Sequence, residues 1–192
     1  MTERYLEFFK KSAILASEMS YCKRRKVGAI IVREKRIIVN SWNGTVSGED
    51  NCCEEDYGSE SEVFTTYIDK PSNYIGNLNF RETYCKEYCE ENGLIFIDSE
   101  ETFSNTIKLS YKRPAVRTKA SVVHAEANAI YFAAKKGIPL EGASMFVTLS
   151  PCINCANAII QSGIKEVYYL DAYRDSSGLE HLKKHNIKIQ KL

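Results

Sequence analysis

Four residues of this chain have the types and spacing to do chemistry together. His124 and Glu126 stand at the start of one apolar stretch, and Pro151-Cys152-Ile153-Asn154-Cys155 opens another. One imidazole and two thiolates are three ligands for zinc, which leaves the fourth tetrahedral position to water; three protein ligands make a catalytic site, four a structural one. Glu126, two residues beyond a ligand, can approach that water without binding the metal. Zinc lowers the pKa of a bound water to about 7, and a nearby carboxylate can take up its proton and return it. A bare Cys-x-x-Cys is equally a structural half-site or a redox motif, and a lone histidine before a helix is usually structural. The compound pattern favours catalysis, and no fourth ligand stands beside either half.

The surrounding pattern supplies elements to hold these groups. Apolar residues Tyr5, Phe9, Ala13, Ala16 and Met19 recur at helical spacing over 2–20, with Thr2 as a cap. Two β-branched runs, 27–32 and 37–42, flank a charged turn and read as a hairpin closed by Asn43-Gly44. Helices are expected at 124–136, with Gly137 as the C′ residue and Pro139 as a stop, at 151–162 and at 177–185. Strands are expected at 144–149, 167–170 and 187–189. Ligands in the first turn of a helix lie beside unpaired N–H groups and the positive end of the dipole, which favours thiolates. The order α-β-β-(insert)-α-β-α-β-α-β predicts one α/β domain over 1–192, with helices on both sides of a central mixed sheet. Between 45 and 120 the pattern fades. This insert has an acidic stretch from Glu49 to Glu62, a short helix near 79–92, a strand at 94–97 and a basic approach through Lys112, Arg113, Arg117 and Lys119.

The chain has 192 residues and a formal net charge of +1. No global basic field argues for a nucleic-acid partner, no apolar run is long enough to span a membrane, and the charged first twenty residues do not read as a signal peptide. A cytoplasmic location is expected. Seven cysteines are an odd number for a disulfide framework, so reduced thiols and metal ligation are the better reading.

At these residues the chain resembles the zinc-dependent cytidine deaminase superfamily, whose signature is His-x-Glu followed by Pro-Cys-x-x-Cys. Val27-Gly28-Ala29-Ile30-Ile31, Trp42-Asn43-Gly44, His124-Ala125-Glu126-Ala127-Asn128-Ala129-Ile130, Thr148-Leu149-Ser150-Pro151-Cys152 and Gln161-Ser162-Gly163-Ile164-Lys165 look like deoxycytidylate (dCMP) deaminases of the phage type. The resemblance covers 5–53 and 120–190 and implies a three-layer fold. It implies hydrolysis of dCMP to dUMP and ammonia, supplying thymidylate synthesis, with zinc held by His124, Cys152 and Cys155 and Glu126 shuttling protons. Asn43 would bond the sugar or base, the backbone of Ala125 the pyrimidine carbonyl, and the carbonyl of Ser150 the amino group; Tyr173 would pack on the nucleotide. Asn43 as a mere turn residue and Tyr173 as a core or interface aromatic stay open. For the 5′-phosphate, the candidates are Lys23, Arg24, Arg25 and Lys26, then Arg113, Arg117 and Lys119, of which one or two are expected to matter; Lys26 and Arg117 are the ones named. The resemblance further implies a homo-oligomer, a hexamer favoured, and dCTP or dTTP as effectors at the loop 45–51. Glu49 and Asp50 there would repel a triphosphate unless magnesium intervened.

Five cysteines remain. Cys85 and Cys89 share one face of a helical turn, while Cys22 and the Cys52-Cys53 pair flank the first hairpin. Cys22, Cys52, Cys85 and Cys89 give four thiolates, a closed structural zinc that would staple the insert and offset its ordering entropy of about 1–2 kcal/mol per residue. Free thiols are the alternative, and Cys52 is preferred over Cys53. Rival readings are a nucleic-acid or tRNA deaminase, a free-nucleoside deaminase, and a deaminase-fold protein kept as a catalytically idle nucleotide-binding module.

Overall fold

The computed structural model describes residues 1–59 and 63–192, so Glu60 and Glu62 of the acidic stretch lie outside the described residues. The chain divides into two compact units, one built from Met1–Glu54 with Thr118–Leu192, the other from Glu55–Arg117.

The first unit is organised on a five-stranded mixed sheet. Its strands are β1 (Gly28–Arg33), β2 (Arg36–Trp42), β8 (Ser144–Leu149), β9 (Glu166–Asp171) and β10 (Lys188–Lys191), ordered β10-β9-β8-β1-β2. The first hairpin is antiparallel, β1 runs antiparallel to β8, and β8, β9 and β10 run parallel. The run Ala29-Ile30-Ile31-Val32 has no polar residue because both faces of β1 are covered. Ala29 and Ile31 join a core with Ala125, Ala129 and Ala133 of α3 (Ala125–Lys136), Ala156 and Ile159 of α4 (Ile153–Gln161) and Leu182 of α5 (Ser177–Lys184). Ile30 and Val32 face the other way and pack with Phe146, Tyr168 and three residues of α1 (Glu3–Glu18): Phe9, Ala13 and Ala16. The helical stripe of α1 is narrower than its sequence suggests. Tyr5 is 37% exposed and Met19, just past the helix, 57%.

Two glycines set how closely the layers approach. At Gly28 an added Cβ would run into the backbone of Ala13 and Ser17 on α1. Gly137 ends α3 in the left-handed region at φ 65°, and Ile138 N–H closes the turn on Ala133 O at 2.9 Å.

The insert is more regular than its sequence shows. β4 (Phe64–Asp69), β6 (Thr106–Lys112) and β5 (Ile95–Glu101) form an antiparallel sheet in that order, joined by α2 (Leu78–Glu91). Asn77 caps α2 by accepting from Asn79 N–H at 2.8 Å. Ile68, Cys85, Cys89, Ile107 and Leu109 make a small core, so hydrophobic burial contributes to ordering this unit. β3 (Glu54–Ser59) pairs with β7 (Pro114–Thr118) as a separate two-stranded ribbon. Among the described residues no helix is long and apolar enough to cross a membrane.

Because the atoms facing Gly28 are backbone, they cannot swing aside. Gly28→Ala is expected to destabilise the protein by about 1–3 kcal/mol through overpacking, read as a lower denaturant midpoint at unchanged slope.

Candidate active site

The start of α3 and the start of α4 converge. Their N-cap residues are His124 and Cys152, both in extended backbone, and neither side chain bonds its own helix. An N-cap side chain normally accepts from the first-turn N–H groups; here both are free for another task. His124 Nδ1 lies 3.6 Å from Cys152 Sγ and 3.5 Å from Cys155 Sγ. Ligands about 2.0–2.3 Å from one tetrahedral ion stand roughly 3.5–3.7 Å apart, so the donor set fits zinc. Among the described residues this is the one group of at least three His, Cys, Asp or Glu gathered closely enough to hold a metal.

The site is deep on one side and open on the other. Cys155 and Glu126 are buried, at 3% and 4% exposure, while His124 is exposed. Burial pushes the Glu126 carboxyl up to about 7, opposed in part by the adjacent His124. The Cys155 thiol and His124 bond the Cys152 sulfur and hold it down to about 3. The Cys155 thiol is pushed up, first by the bond to the Cys152 sulfur and then by burial, although the Ala127 N–H opposes this. His124 is raised chiefly by its bond to Cys152.

Behind the ligands, polar contacts fix the two helix starts. Ser41 Oγ donates to Ala125 O at 2.8 Å, Asn128 Nδ2 donates to Trp42 O at 3.0 Å, and Gly44 and Val123 exchange backbone bonds. Gly178 of α5 abuts the backbone of Pro151 and Cys152, where a Cβ would clash. The sequence reading passed over Ser41 and Gly178. Asn128 carried one signal, a poor helix former in the second turn of a helix.

The expected substrate contacts fall unevenly. Asn43 is buried, and its carboxamide is engaged: Oδ1 accepts from Val27 N–H at 2.7 Å and Nδ2 donates to Arg25 O at 3.0 Å. Ser150 is buried two residues before Cys152, and its hydroxyl accepts from Tyr173 N–H at 2.7 Å. Ala125 is buried at the first position of α3, where an N–H has no intrahelical acceptor. Lys26 Nζ turns back to Glu18 O at 3.5 Å, and Arg117 lies in the insert unit, ion-paired with Glu55 at 2.6 Å.

The four-thiolate site is corrected by the structure. Cys22 is joined to Cys53 as a disulfide, their Cα atoms 5.1 Å apart, in a buried cluster with Val122. Cys22 is therefore not a thiolate, and the reading of all remaining cysteines as reduced fails at this pair. Neighbours in extended chain point to opposite sides, which leaves Cys52 exposed beside Glu54 O. Cys85 and Cys89 do share a face of α2, but that face is the core of the insert. Burial raises both thiols, and they behave there as small hydrophobes.

The chain matches the family model described as the cytidine and deoxycytidylate deaminase zinc-binding region over residues 3–171. It is 38% identical over 161 residues to the deoxycytidylate deaminase of Enterobacteria phage T4, covering 84% of this chain and 75% of that protein. Identity to the ComE operon protein 2 of Bacillus subtilis (strain 168) is 30% over 168 residues, 88% of this chain and 60% of the relative. The fold is similar to the crystal structure of a dCMP deaminase from the cyanophage S-TIM5 in complex with dCMP and dUMP. The TM-score is 0.66 at 28% identity, with 100% of this chain and 99% of that chain covered.

Zinc must displace the Cys155 proton to bind, so its affinity is expected to rise with pH, about tenfold per pH unit for each proton expelled. Competition with a chelator at pH 6 and pH 8 should show tighter retention at pH 8, with acid released on zinc addition in weak buffer. Equal affinity at both would contradict the protonation order of the donors.

Proposed function

Because the chain belongs to the cytidine and deoxycytidylate deaminase zinc-binding family, we propose that it hydrolyses dCMP to dUMP and ammonia. The observation that carries the chemistry is the triangle of His124, Cys152 and Cys155 with a buried carboxyl, Glu126, beside it. The substrate is taken from the phage relatives.

Zinc held by those three residues would supply Lewis-acid activation of a water molecule near neutral pH. Glu126, raised by burial to about 7, sits in the range where a carboxyl both accepts and donates. It takes a proton from the attacking water and gives it to the ring nitrogen. Oxygen adds at the carbon bearing the amino group, the carbon–nitrogen bond breaks, and Glu126 carries the second proton to the departing ammonia. The first-turn N–H of Ala125 faces the pyrimidine carbonyl, and the carbonyl of Ser150 accepts from the amino group. Tyr173, tied to Ser150 by its own N–H, covers the nucleotide. Asn43 keeps one amide hydrogen for a sugar hydroxyl.

Ammonia release over dCMP, dCTP, cytidine and single-stranded DNA tests this reading. Glu126→Gln is expected to retain zinc and lose at least about a hundredfold in kcat. Absence of dCMP turnover would overturn the assignment, and faster turnover of cytidine or DNA would move it to a sister activity.

A homo-oligomer, a hexamer favoured, working on free nucleotides of the cytoplasm belongs to the same reading. Its support is the apolar surface of α1, where Phe8 is 56% and Leu15 65% exposed. Light scattering is expected to give a mass above that of one chain. Regulation by dCTP or dTTP would use the exposed loop 45–51 with magnesium between Glu49, Asp50 and the triphosphate. A dCMP saturation curve unmoved by dCTP with magnesium would remove it.

A further inference from the structure

Two of the chain's three histidines, His181 and His185, take no part in the site described above. They stand four residues apart at the end of α5, the spacing at which helical side chains become neighbours. Gly178, in the first turn of this helix, abuts the loop of Cys152, and Leu182 is fully buried in the core. The helix is therefore fixed against the sheet unit. Of the two imidazoles, His181 is half-buried and His185 exposed.

The His185 ring is held in place. His185 is the C-cap residue of α5, and its backbone N–H reaches His181 O at 3.3 Å. Its Nδ1 lies 3.0 Å from the same oxygen. A carbonyl only accepts, so in the neutral ring Nδ1 carries the hydrogen and Nε2 the free lone pair. A backbone carbonyl on one nitrogen is the usual outer partner of a metal-ligating histidine, because it sets the tautomer and the direction of the other nitrogen. Directly after the pair the helix stops. Asn186 turns at φ 59°, and Ile187 N–H bonds Leu182 O at 3.1 Å.

Ring spacing selects the kind of ion. The two ring centres are 4.5 Å apart, with planes tilted by 59°. Imidazole nitrogens bonded to one ion at about 2.0–2.1 Å put their ring centres about 4.5 Å apart at a right angle, and about 5.2 Å apart at the tetrahedral angle. Right-angled nitrogen donors suit the tetragonal ions Cu2+ and Ni2+ better than tetrahedral zinc. The carbonyls of a last helical turn also favour a cation, which offsets in part the charge of Lys183 and Lys184. Lys188 is drawn away to Glu166 at 3.1 Å.

We propose that His181 and His185 form a second metal site, a surface clamp that holds Cu2+ or Ni2+ through the two imidazoles. No third donor is gathered with them among the described residues, so water fills the other positions. The clamp uses none of the zinc ligands and does not depend on the reaction assigned to them. An ion bound there pins the last turn of the helix whose first turn backs Cys152.

Ni2+ titration of the full-length, zinc-loaded protein tests the clamp, with Cys52→Ser in every sample so that the exposed thiol cannot compete. Calorimetry is expected to show one Ni2+ per chain. His185→Asn should weaken it by more than the about 10–100-fold that loss of a mere outer partner costs. His181→Asn should do the same, and Lys184→Gln, which removes a neighbouring charge, should not weaken it. Paramagnetic Ni2+ should broaden the ring signals of His181 and His185 first, at unchanged zinc content. A Ni2+ affinity unmoved by His185→Asn overturns the site, as does broadening that spares both rings. Should His181→Asn fold poorly, the exposed His185 decides alone.

Discussion

Two helices begin at the same place, and the rest of the first unit is arranged so that they can. An imidazole nitrogen within 3.6 Å of each of two sulfurs is a costly grouping unless a proton or a metal ion is shared among them. The close approach needs small residues behind it. Ala125, Ala129, Ala133 and Ala156 are at most 1% exposed, and each gives the helix backbones room against β1 and β8. Gly178 does the same for α5 against the loop of Cys152. On the opposite layer Gly28 lets α1 rest on the sheet. The α3–α4 wedge is thus set by backbone packing rather than by contacts to the ligand side chains.

Polar groups near the wedge are used almost entirely on the backbone. Ser41, Asn43, Asn128 and Ser150 each bond a main-chain group, so their first effect is to fix segment positions. Such preorganisation would serve the proposed proton transfer by Glu126, which requires its carboxyl within hydrogen-bond reach of the water and the ring nitrogen. Its burial and the exposure of His124 also give the site a direction, open at the imidazole and closed at the carboxyl.

The residues of the candidate site were the easiest to read. His124, Glu126, Cys152 and Cys155 must be those types at those spacings, and each pair is local in the chain. The core sheet was legible because β1 and β8 are continuous apolar runs and Gly137 and Gly163 punctuate the helices. The insert was not. β4 and β6 are rich in Thr, Tyr and Lys and bury only alternate residues such as Ile107 and Leu109, so the signal is shallow. The Cys52 and Cys53 choice depended on which side of an extended chain faced Cys22, a register that one sequence does not reveal. Lys26 and Arg25 differ in the same way: adjacent cations, opposite directions. Composition located the basic loop, but only the acceptors around it, the Glu18 carbonyl for Lys26 and the Asp171 carboxylate for Arg25, sort its members.

The ribbon of β3 and β7 bears on how this chain can vary. The insert leaves at Glu54 and returns at Thr118 along paired strands, and next to them Lys119 N–H bonds Cys53 O at 2.9 Å. Departure and return are therefore neighbours, and closing the intervening chain costs the core sheet little whatever its length. The segment 55–117 sits at a graft point, where material can be exchanged, trimmed or enlarged while the register of β1, β8 and the metal ligands stays as it is.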